Sequence, residues 1–144
     1  MSHYKRITSE VTIRFRDLDA MRHVNNAVYF TYFEEGRKNF LVQVLGGDGV
    51  EKVPFILAYQ RCNYIRPIRL GDKVNLVTWI GEIGRKKFEF KYRLLSRDDD
   101  SVIYAEGDSL MVMYDYVKER TMEIPKHYLE KIQEYQEMGT GQED

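Results

Sequence analysis

The sequence has few of the residues that cross-link a chain or divide it into parts, with one cysteine and three prolines among 144 residues. The single cysteine, Cys62, excludes a framework of intrachain disulfides. No Cys or His lies near it at metal-ligand spacing, so this thiol is predicted to be a strand residue and no metal site is indicated. Because no Pro-, Gly- or Ser-rich stretch forms a linker, we expect one domain over residues 1–138 and a disordered tail over residues 139–144.

Neither sign of charge prevails, since 22 Lys and Arg residues stand against 23 Asp and Glu residues. Without a global basic field, binding to nucleic acid or to an anionic membrane surface is not expected. The first ten residues, MSHYKRITSE, also lack the apolar stretch of a signal peptide or a membrane span. We therefore expect a cytoplasmic protein.

Hydrophobic periodicity predicts one long helix among several strands. Residues 11–16 alternate apolar and polar side chains, which predicts a strand with one buried face. A helix is predicted over residues 27–45, because large residues recur there at helical spacing, and glycines at 46, 47 and 49 would end it. Gly36 within it indicates that a sheet packs closely on that side.

The second half of the chain reads as consecutive strands. Strand patterns cover residues 55–65, 74–83, 88–94 and 102–116, the last interrupted near Gly107 as if by a bulge. A short amphipathic helix is predicted after Pro125. One long helix followed by antiparallel strands predicts an α+β fold, with a sheet of about five strands wrapped around one central helix.

Polar residues are concentrated just before the long helix, namely Asp17, Asp19, His23, Asn25 and Asn26. The string D-x-D-x-x-x-H-V-N-N-x-x-Y-F-x-Y-F-E-x-x-R resembles the signature of hotdog-fold acyl-CoA thioesterases of the 4-hydroxybenzoyl-CoA thioesterase-like superfamily. The segment YIRPIRLGDKV at residues 64–74 resembles the second segment of that family. The resemblance implies a hotdog fold for nearly the whole chain.

The resemblance also implies roles for the residues of the first motif. Asp19 would be the catalytic carboxylate, acting as nucleophile or general base, and the alternative is that it only caps a turn. Backbone N–H groups at residues 24–27 would stabilise the oxyanion. His23 would orient substrate or water, or be a structural residue. Asn25 or Asn26 would cap the helix, with Asn26 also contacting substrate, and Asp17 would accept backbone N–H groups in the loop.

Further residues are expected to bind substrate, and these are Tyr29, Arg61, Tyr64, Arg85, Lys86 and Lys87. The last three form a basic turn that could clamp the phosphates of coenzyme A, unless it is simply a solvated charged turn. Glu34 and Glu35 lie about two helical turns from the helix start, so we interpret them as solvated or paired with Arg37 or Lys38.

The function that the resemblance implies is hydrolysis of an acyl-CoA thioester to a free acid and coenzyme A, with no cofactor beyond the coenzyme A of the substrate. An acyl-carrier-protein thioesterase and a non-catalytic acyl-CoA-binding module are the alternatives. An open edge strand would favour a homodimer or homotetramer. Arg22 departs from the family pattern, in which many members carry glycine, and could place a cation at the mouth of the site.

Overall fold

The computed structural model describes residues 6–46 and 55–140. Two helices and six strands follow one another in the order β1 (Ile7–Val11), α1 (Val28–Phe40), β2 (Phe55–Tyr64), β3 (Val74–Ile83), β4 (Lys87–Ser96), β5 (Ile103–Asp115), β6 (Arg120–Thr121) and α2 (Lys126–Thr140). A π-helical turn, Leu41–Leu45, extends α1, and the two together match the helix expected over residues 27–45.

The strands form one antiparallel sheet in the order β1-β3-β4-β5-β2, and β6 pairs with the end of β5. Helix α1 packs against strands across the sheet. This is the α+β architecture of the hotdog fold that the sequence predicts. The strand β2 forms one edge of the sheet, and along its outer side no other described strand pairs with it.

Helix α1 lies unusually close to the sheet at Gly36. A Cβ added there would lie 2.5 Å from the Thr78 Oγ1 atom and 2.6 Å from the Leu76 Cδ2 atom, both on β3. Only a residue without a side chain allows this approach. The close packing expected at Gly36 is confirmed, and it fixes the depth at which the whole helix sits on the sheet.

Arg37 occupies the buried face of α1 and does not pair with the neighbouring glutamates. Its side chain is 8% exposed, whereas Glu34 and Glu35 face solvent. Its Nη1 atom donates to the hydroxyls of Tyr92 and Ser109 at 3.1 and 3.3 Å, and to the Gln60 side chain at 3.4 Å. The alternative in which a glutamate pairs with Arg37 is therefore wrong, and the glutamates are solvated.

The strand predicted over residues 11–16 is also wrong, since β1 ends at Val11. The next residues form a short 3₁₀ turn, Phe15–Asp17, in which the Asp17 N–H donates to the Arg14 carbonyl at 2.9 Å and the Arg14 N–H donates to the Asp17 carboxylate at 3.0 Å. Phe15 is 80% exposed in this turn. Local hydrogen bonds to a carboxylate thus override the alternating pattern.

The irregularity expected near Gly107 lies three residues earlier on the same strand, where the pairing of β5 with β4 skips Tyr104. Gly107 itself pairs regularly with Cys62 and Tyr92. The register also shifts between Leu57 and Tyr59 on β2. A Cβ at Gly107 would lie 2.5 Å from the Arg61 carbonyl oxygen and 2.5 Å from the Phe33 ring. The glycine is therefore needed for close packing against α1 rather than for a bulge.

The C-terminal ends of the two helices can be compared with the predictions. Gly46 ends the helix with a positive φ of 86°, as expected of a glycine there, but its ψ of 155° differs from that of the left-handed helical conformation. Positions 47–49 lie outside the described residues. Helix α2 runs to Thr140, so the first two residues of the tail expected over 139–144 are helical, and residues 141–144 lie outside the described part. Among the described helices, none has the length and apolar character needed to cross a membrane.

Candidate active site

The polar segment before α1 is folded into a tight turn. The Asp19 N–H donates to the His23 carbonyl at 2.8 Å, and the Arg22 N–H donates to the Asp19 carbonyl at 3.0 Å. Arg22 has a φ of 65°, in the left-handed region where a residue with a side chain is strained by about 1–2 kcal/mol. Glycine would adopt this conformation without that strain.

Asp19 holds this turn with one oxygen of its carboxylate. Its Oδ1 atom accepts the backbone N–H groups of Met21 and His23, at 2.8 and 3.2 Å. Its Oδ2 atom accepts no hydrogen bond from the residues that the structure describes. Asp19 therefore caps a turn, as the alternative interpretation proposed, while one oxygen stays available for another partner.

A cleft of about 210 Å³ opens beside this carboxylate, and we call it the Asp19 cleft. It is lined by five of the predicted site residues, which are Asp19, His23, Asn26, Tyr29 and Tyr64, together with Val24, Ile65, Arg66 and Pro67. The structure thus brings the first motif and the start of the second segment together. Residues 65–67 were not among the predicted site residues, although they lie within the motif that carries the resemblance.

The two tyrosines tie the edge strand β2 to the start of α1. The Tyr64 hydroxyl donates to the Asn26 carbonyl at 2.7 Å, and its ring meets Tyr29 edge-on with centroids 4.8 Å apart. Burial and the neighbouring Cys62 thiol raise the pKa of Tyr64 to about 12. Burial likewise raises the pKa of Tyr29 above its ordinary value. Both hydroxyls therefore remain protonated donors at neutral pH.

The start of α1 is capped by Asn25 from just outside the helix. Its side-chain oxygen accepts the Ala27 N–H at 2.9 Å, and its carbonyl accepts the Val28 N–H at 2.9 Å. The N-cap position itself is Ala27, which has helical backbone angles and makes no side-chain cap. The expectation of an asparagine cap is corrected in this detail, because the asparagine closes the turn that precedes the helix.

The backbone amides expected to stabilise an oxyanion are mostly occupied. The Val24 N–H donates to Ile68, the Asn25 N–H donates to Asp17, and the Ala27 N–H is taken by the Asn25 side chain. The Asn26 N–H donates to no acceptor in the part of the chain that the structure describes. Of the amides at residues 24–27, this one is therefore available to a ligand, and Asn26 lines the Asp19 cleft.

The remaining polar residues of the segment have distinct surroundings. His23 is half-buried, and its backbone bridges to Arg69 in the second segment, while its imidazole makes no hydrogen bond to a described residue. Asp17 accepts the Arg14 N–H and the Tyr32 hydroxyl, the latter at 2.8 Å, which confirms its expected structural role. Burial and this bond to Asp17 raise the pKa of Tyr32.

The predicted basic residues do not line the Asp19 cleft. Arg61 is paired with Asp108 through two hydrogen bonds of 3.0 and 2.9 Å on the outward face of the sheet. The turn of Arg85, Lys86 and Lys87 lies at the far end, where the Met113 N–H donates to the Lys86 carbonyl and Met113 pairs with Phe55. Strand β2 begins at Phe55 and ends at Tyr64. At about 3.3 Å per residue, its two ends are roughly 30 Å apart.

Among the described residues, no three His, Cys, Asp or Glu side chains are grouped so that they could hold a metal ion. Cys62 is half-buried on β2, as expected for a strand residue. Burial raises the pKa of its thiol to about 11. The residues that line the Asp19 cleft supply a carboxylate, an imidazole, two tyrosine hydroxyls and a side-chain amide.

Comparison with known proteins adds the family. The sequence model of the thioesterase-like superfamily matches residues 13–132. A thioesterase from Thermus thermophilus, solved in complex with coenzyme A and Zn, is 28% identical with a TM-score of 0.82, over 95% of this chain and 98% of its own. A proposed acyl-CoA thioesterase from Xanthomonas campestris is 27% identical with a TM-score of 0.73, over 82% and 98%. A proposed esterase from Aquifex aeolicus is 29% identical over 128 residues, which make up 85% of this chain and 94% of that protein.

Proposed function

Because the chain belongs to the thioesterase-like superfamily, we propose that it hydrolyses an acyl-CoA thioester to a free carboxylic acid and coenzyme A in the Asp19 cleft. One observation carries the proposal. Asp19 and Asn26 both line the same small cleft. Asp19 has a carboxylate oxygen that accepts no hydrogen bond from a described residue, and the backbone N–H of Asn26 has no acceptor among the described residues. Thioester hydrolysis needs these two functions, a nucleophile or base and a donor to the oxyanion.

The Asp19 Oδ2 atom would act in one of two ways. As a nucleophile it would attack the acyl carbon and expel the coenzyme A thiolate, and water would then hydrolyse the resulting mixed anhydride. As a general base it would remove a proton from the water that attacks the same carbon. In either route the thioester oxygen becomes negative in the transition state, and the Asn26 N–H would donate to it. His23, which also lines the cleft, would position substrate or water.

A relative of this chain supports the identity of the thiol that carries the acyl group. The Thermus thermophilus relative binds coenzyme A, and we propose the same coenzyme as the carrier of the acyl group here. The hydrolysis requires water and no further cofactor. A thioester of an acyl-carrier protein would offer the same reacting atoms, so the assay must compare the two carriers.

We also propose that two copies of the chain pair along β2. This strand is ten residues long, and no other described strand pairs with its outer edge. Such an edge can pair with a strand of another chain. Large apolar side chains on it and just beyond it are exposed by 37 to 47%, and these are Ile56, Leu57, Tyr59, Tyr64 and Ile65. Pairing of two β2 strands would cover them and extend the sheet across both subunits.

Thiol release from short, medium, long and aromatic acyl-CoAs tests the activity, with Asp19→Asn as the decisive variant. Asparagine keeps a side-chain oxygen that can accept the Met21 and His23 N–H groups, so the turn should survive while the charge is lost. We expect kcat to fall by at least about a hundredfold, as for the loss of a positioned base or nucleophile. Near-normal turnover in Asp19→Asn would remove Asp19 from the mechanism.

Two control variants make this test specific. Glu34→Gln and Glu35→Gln remove exposed carboxylates of α1 that lie outside the Asp19 cleft, so both should keep wild-type kcat. A large loss of kcat in either variant would indicate that the catalytic carboxylate lies on the helix instead. Tight acyl-CoA binding without any thiol release by the wild-type protein would favour a binding module instead.

A further inference from the structure

The side chain of Tyr64 ties the end of β2 to the turn that precedes α1. Its hydroxyl donates to the Asn26 carbonyl at 2.7 Å. A tyrosine hydroxyl has a single proton to donate, and here the backbone of Asn26 accepts it. Although Tyr64 lines the Asp19 cleft, its hydroxyl therefore has no second proton to donate to a bound thioester.

Two neighbours hold the Tyr64 side chain in this position. Its ring meets the edge of Tyr29, which is only 2% exposed, with the ring centroids 4.8 Å apart. The Cys62 thiol, two residues earlier on the same strand, hydrogen-bonds the Tyr64 hydroxyl. Burial raises the pKa of this thiol to about 11, so it keeps its proton at neutral pH and can donate to the hydroxyl oxygen. The hydroxyl is thus oriented toward Asn26 from behind.

The carbonyl that Tyr64 binds belongs to a peptide unit that is held at both ends. The opposite end of this unit is the Ala27 N–H, which donates to the Asn25 side chain at 2.9 Å. Because a peptide unit is rigid and planar, hydrogen bonds to its carbonyl and to its N–H together fix its orientation. Without the Tyr64 hydroxyl, only the Asn25 side chain would hold this unit, and the unit could rotate about the backbone bonds on either side.

The preceding peptide unit carries the N–H that the proposed function uses. The Asn25 carbonyl of this unit accepts the Val28 N–H at 2.9 Å, whereas the Asn26 N–H at its other end has no acceptor in the described part of the chain. The two units meet at the Cα atom of Asn26, so a rotation of one changes the angle of the other. The hydrogen bond from Tyr64 therefore restricts the direction in which the free N–H points.

We propose that Tyr64 is a positioning residue, which holds the Asn26 N–H at the angle needed to donate to the thioester oxygen as that oxygen becomes negative. The inference rests on the proposed function, in which this N–H stabilises the oxyanion. Tyr64 then acts through the backbone of Asn26, and its hydroxyl makes no hydrogen bond to the substrate. Because an oxyanion donor contributes most in the transition state, the effect of Tyr64 should appear in kcat rather than in KM.

Tyr64→Phe is the decisive variant, because it removes the hydroxyl and keeps the ring that packs on Tyr29. Complete loss of an oxyanion donor lowers kcat by about a hundredfold to a thousandfold. In Tyr64→Phe the Asn26 N–H remains but is held less firmly, so we expect kcat for acyl-CoA to fall by about tenfold. The KM should stay within about twofold of the wild-type value.

The matched control lies at the opposite end of the same strand. The Tyr116 hydroxyl also points at a backbone carbonyl, that of Phe55, at 3.5 Å, and Tyr116 does not line the Asp19 cleft. Tyr116→Phe should therefore keep the wild-type kcat and KM. Urea unfolding of both variants checks that neither substitution has loosened the fold as a whole.

A spectroscopic measurement separates positioning of the amide from a purely structural role. The probe is an analogue of acyl-CoA in which a methylene group replaces the sulfur, so that the carbonyl is kept and cannot be hydrolysed. A hydrogen bond from the Asn26 N–H should lower the infrared stretching frequency of this carbonyl, which a ¹³C label identifies. With Tyr64→Phe the band should move to higher frequency and broaden, and with Tyr116→Phe it should stay at the wild-type position.

The possible outcomes separate this inference from the proposed function. If the wild-type protein released no thiol from any thioester, the proposed function would fail, and the role of Tyr64 would fail with it. If the wild-type protein is active, an unchanged kcat or an unmoved carbonyl band in Tyr64→Phe overturns the positioning role alone. A raised KM with unchanged kcat would instead make Tyr64 a substrate-binding residue. The pH dependence of kcat should be the same in both proteins, and its alteration in Tyr64→Phe would mean that the hydroxyl transfers a proton.

Discussion

Gly36 allows the packing of α1 on the sheet to be tested with a single added methyl group. In Gly36→Ala the new Cβ would lie 2.5 Å from Thr78 Oγ1 and 2.6 Å from Leu76 Cδ2. Thr78 and Leu76 are both fully buried, so neither side chain can turn away into solvent. Either these side chains must leave their rotamers or the helix must move off β3.

The magnitude is a balance between two opposing effects. In a helix without neighbours, Ala is favoured over Gly by about 1 kcal/mol. Overpacking a buried site costs about 1–3 kcal/mol, and here two atoms lie well inside contact distance. The cost should therefore fall in the upper part of that range, about 2–3 kcal/mol. After subtraction of about 1 kcal/mol of helix propensity, we expect Gly36→Ala to lower the free energy of unfolding by roughly 1–2 kcal/mol.

Urea unfolding followed by circular dichroism measures this difference, and Gly84→Ala is the matched control. Its new Cβ would meet nothing closer than 3.4 Å, so its unfolding midpoint should stay near the wild-type value. Adding Thr78→Ala to Gly36→Ala removes the closer of the two clashes, so the double variant should lose less than the sum of the single variants. A Gly36→Ala protein with an unchanged or higher midpoint would refute the close packing. Because α1 begins at the Asp19 cleft, its displacement should also lower kcat.

Further variants test single features of the fold. Because φ is 65° at position 22, Arg22→Gly should leave stability unchanged or raise it by up to about 1 kcal/mol, and Arg22→Val should lower it by about 1–2 kcal/mol. Thermal unfolding of both variants checks this. Arg37→Met should change stability by less than about 1 kcal/mol, because the Tyr92 and Ser109 hydroxyls still hydrogen-bond each other at 2.7 Å. Arg37→Ala should lower stability by about 2–4 kcal/mol because it leaves a cavity. Urea titrations of the two variants measure this difference. The folded-state pKa of Cys62, about 11, lies above its ordinary 9.0, so its contribution to stability is complete below pH 9 and is lost between pH 9 and 11. Iodoacetamide should accordingly alkylate the native protein at pH 8 much more slowly than the urea-unfolded protein, and equal rates would contradict the raised pKa of this half-buried thiol.

The sequence was sufficient for those parts of the molecule in which one pattern controls the outcome. Helical spacing predicted α1 and its buried face, and Gly36 predicted the close approach of a sheet, which the structure shows to be strand β3. The motif from Asp17 to Asn26 predicted a polar cluster at the start of the helix. These features depend on neighbours in the chain and on one buried face, and both can be read from spacing.

Other features depend on contacts that the spacing of residues does not reveal. Val11, Ile13 and Phe15 alternate as a strand would, but Asp17 closes a turn on Arg14 and leaves Phe15 in solvent. Which face of the sheet a β2 side chain occupies depends on the register shift between Leu57 and Tyr59, which no local pattern marks. Beyond that shift, Arg61 faces outward to Asp108 rather than toward the Asp19 cleft. A local hydrogen bond decided the turn, and pairing between strands decided the position of Arg61.

The edge strand β2 contributes both to the Asp19 cleft and to the proposed contact between two subunits. Its Tyr64 end closes the Asp19 cleft, since the Tyr64 hydroxyl donates to the Asn26 carbonyl. The same strand exposes apolar side chains, among them Leu57 and Tyr59. Pairing of two β2 strands would therefore cover these side chains and bring the partner subunit next to the Asp19 cleft.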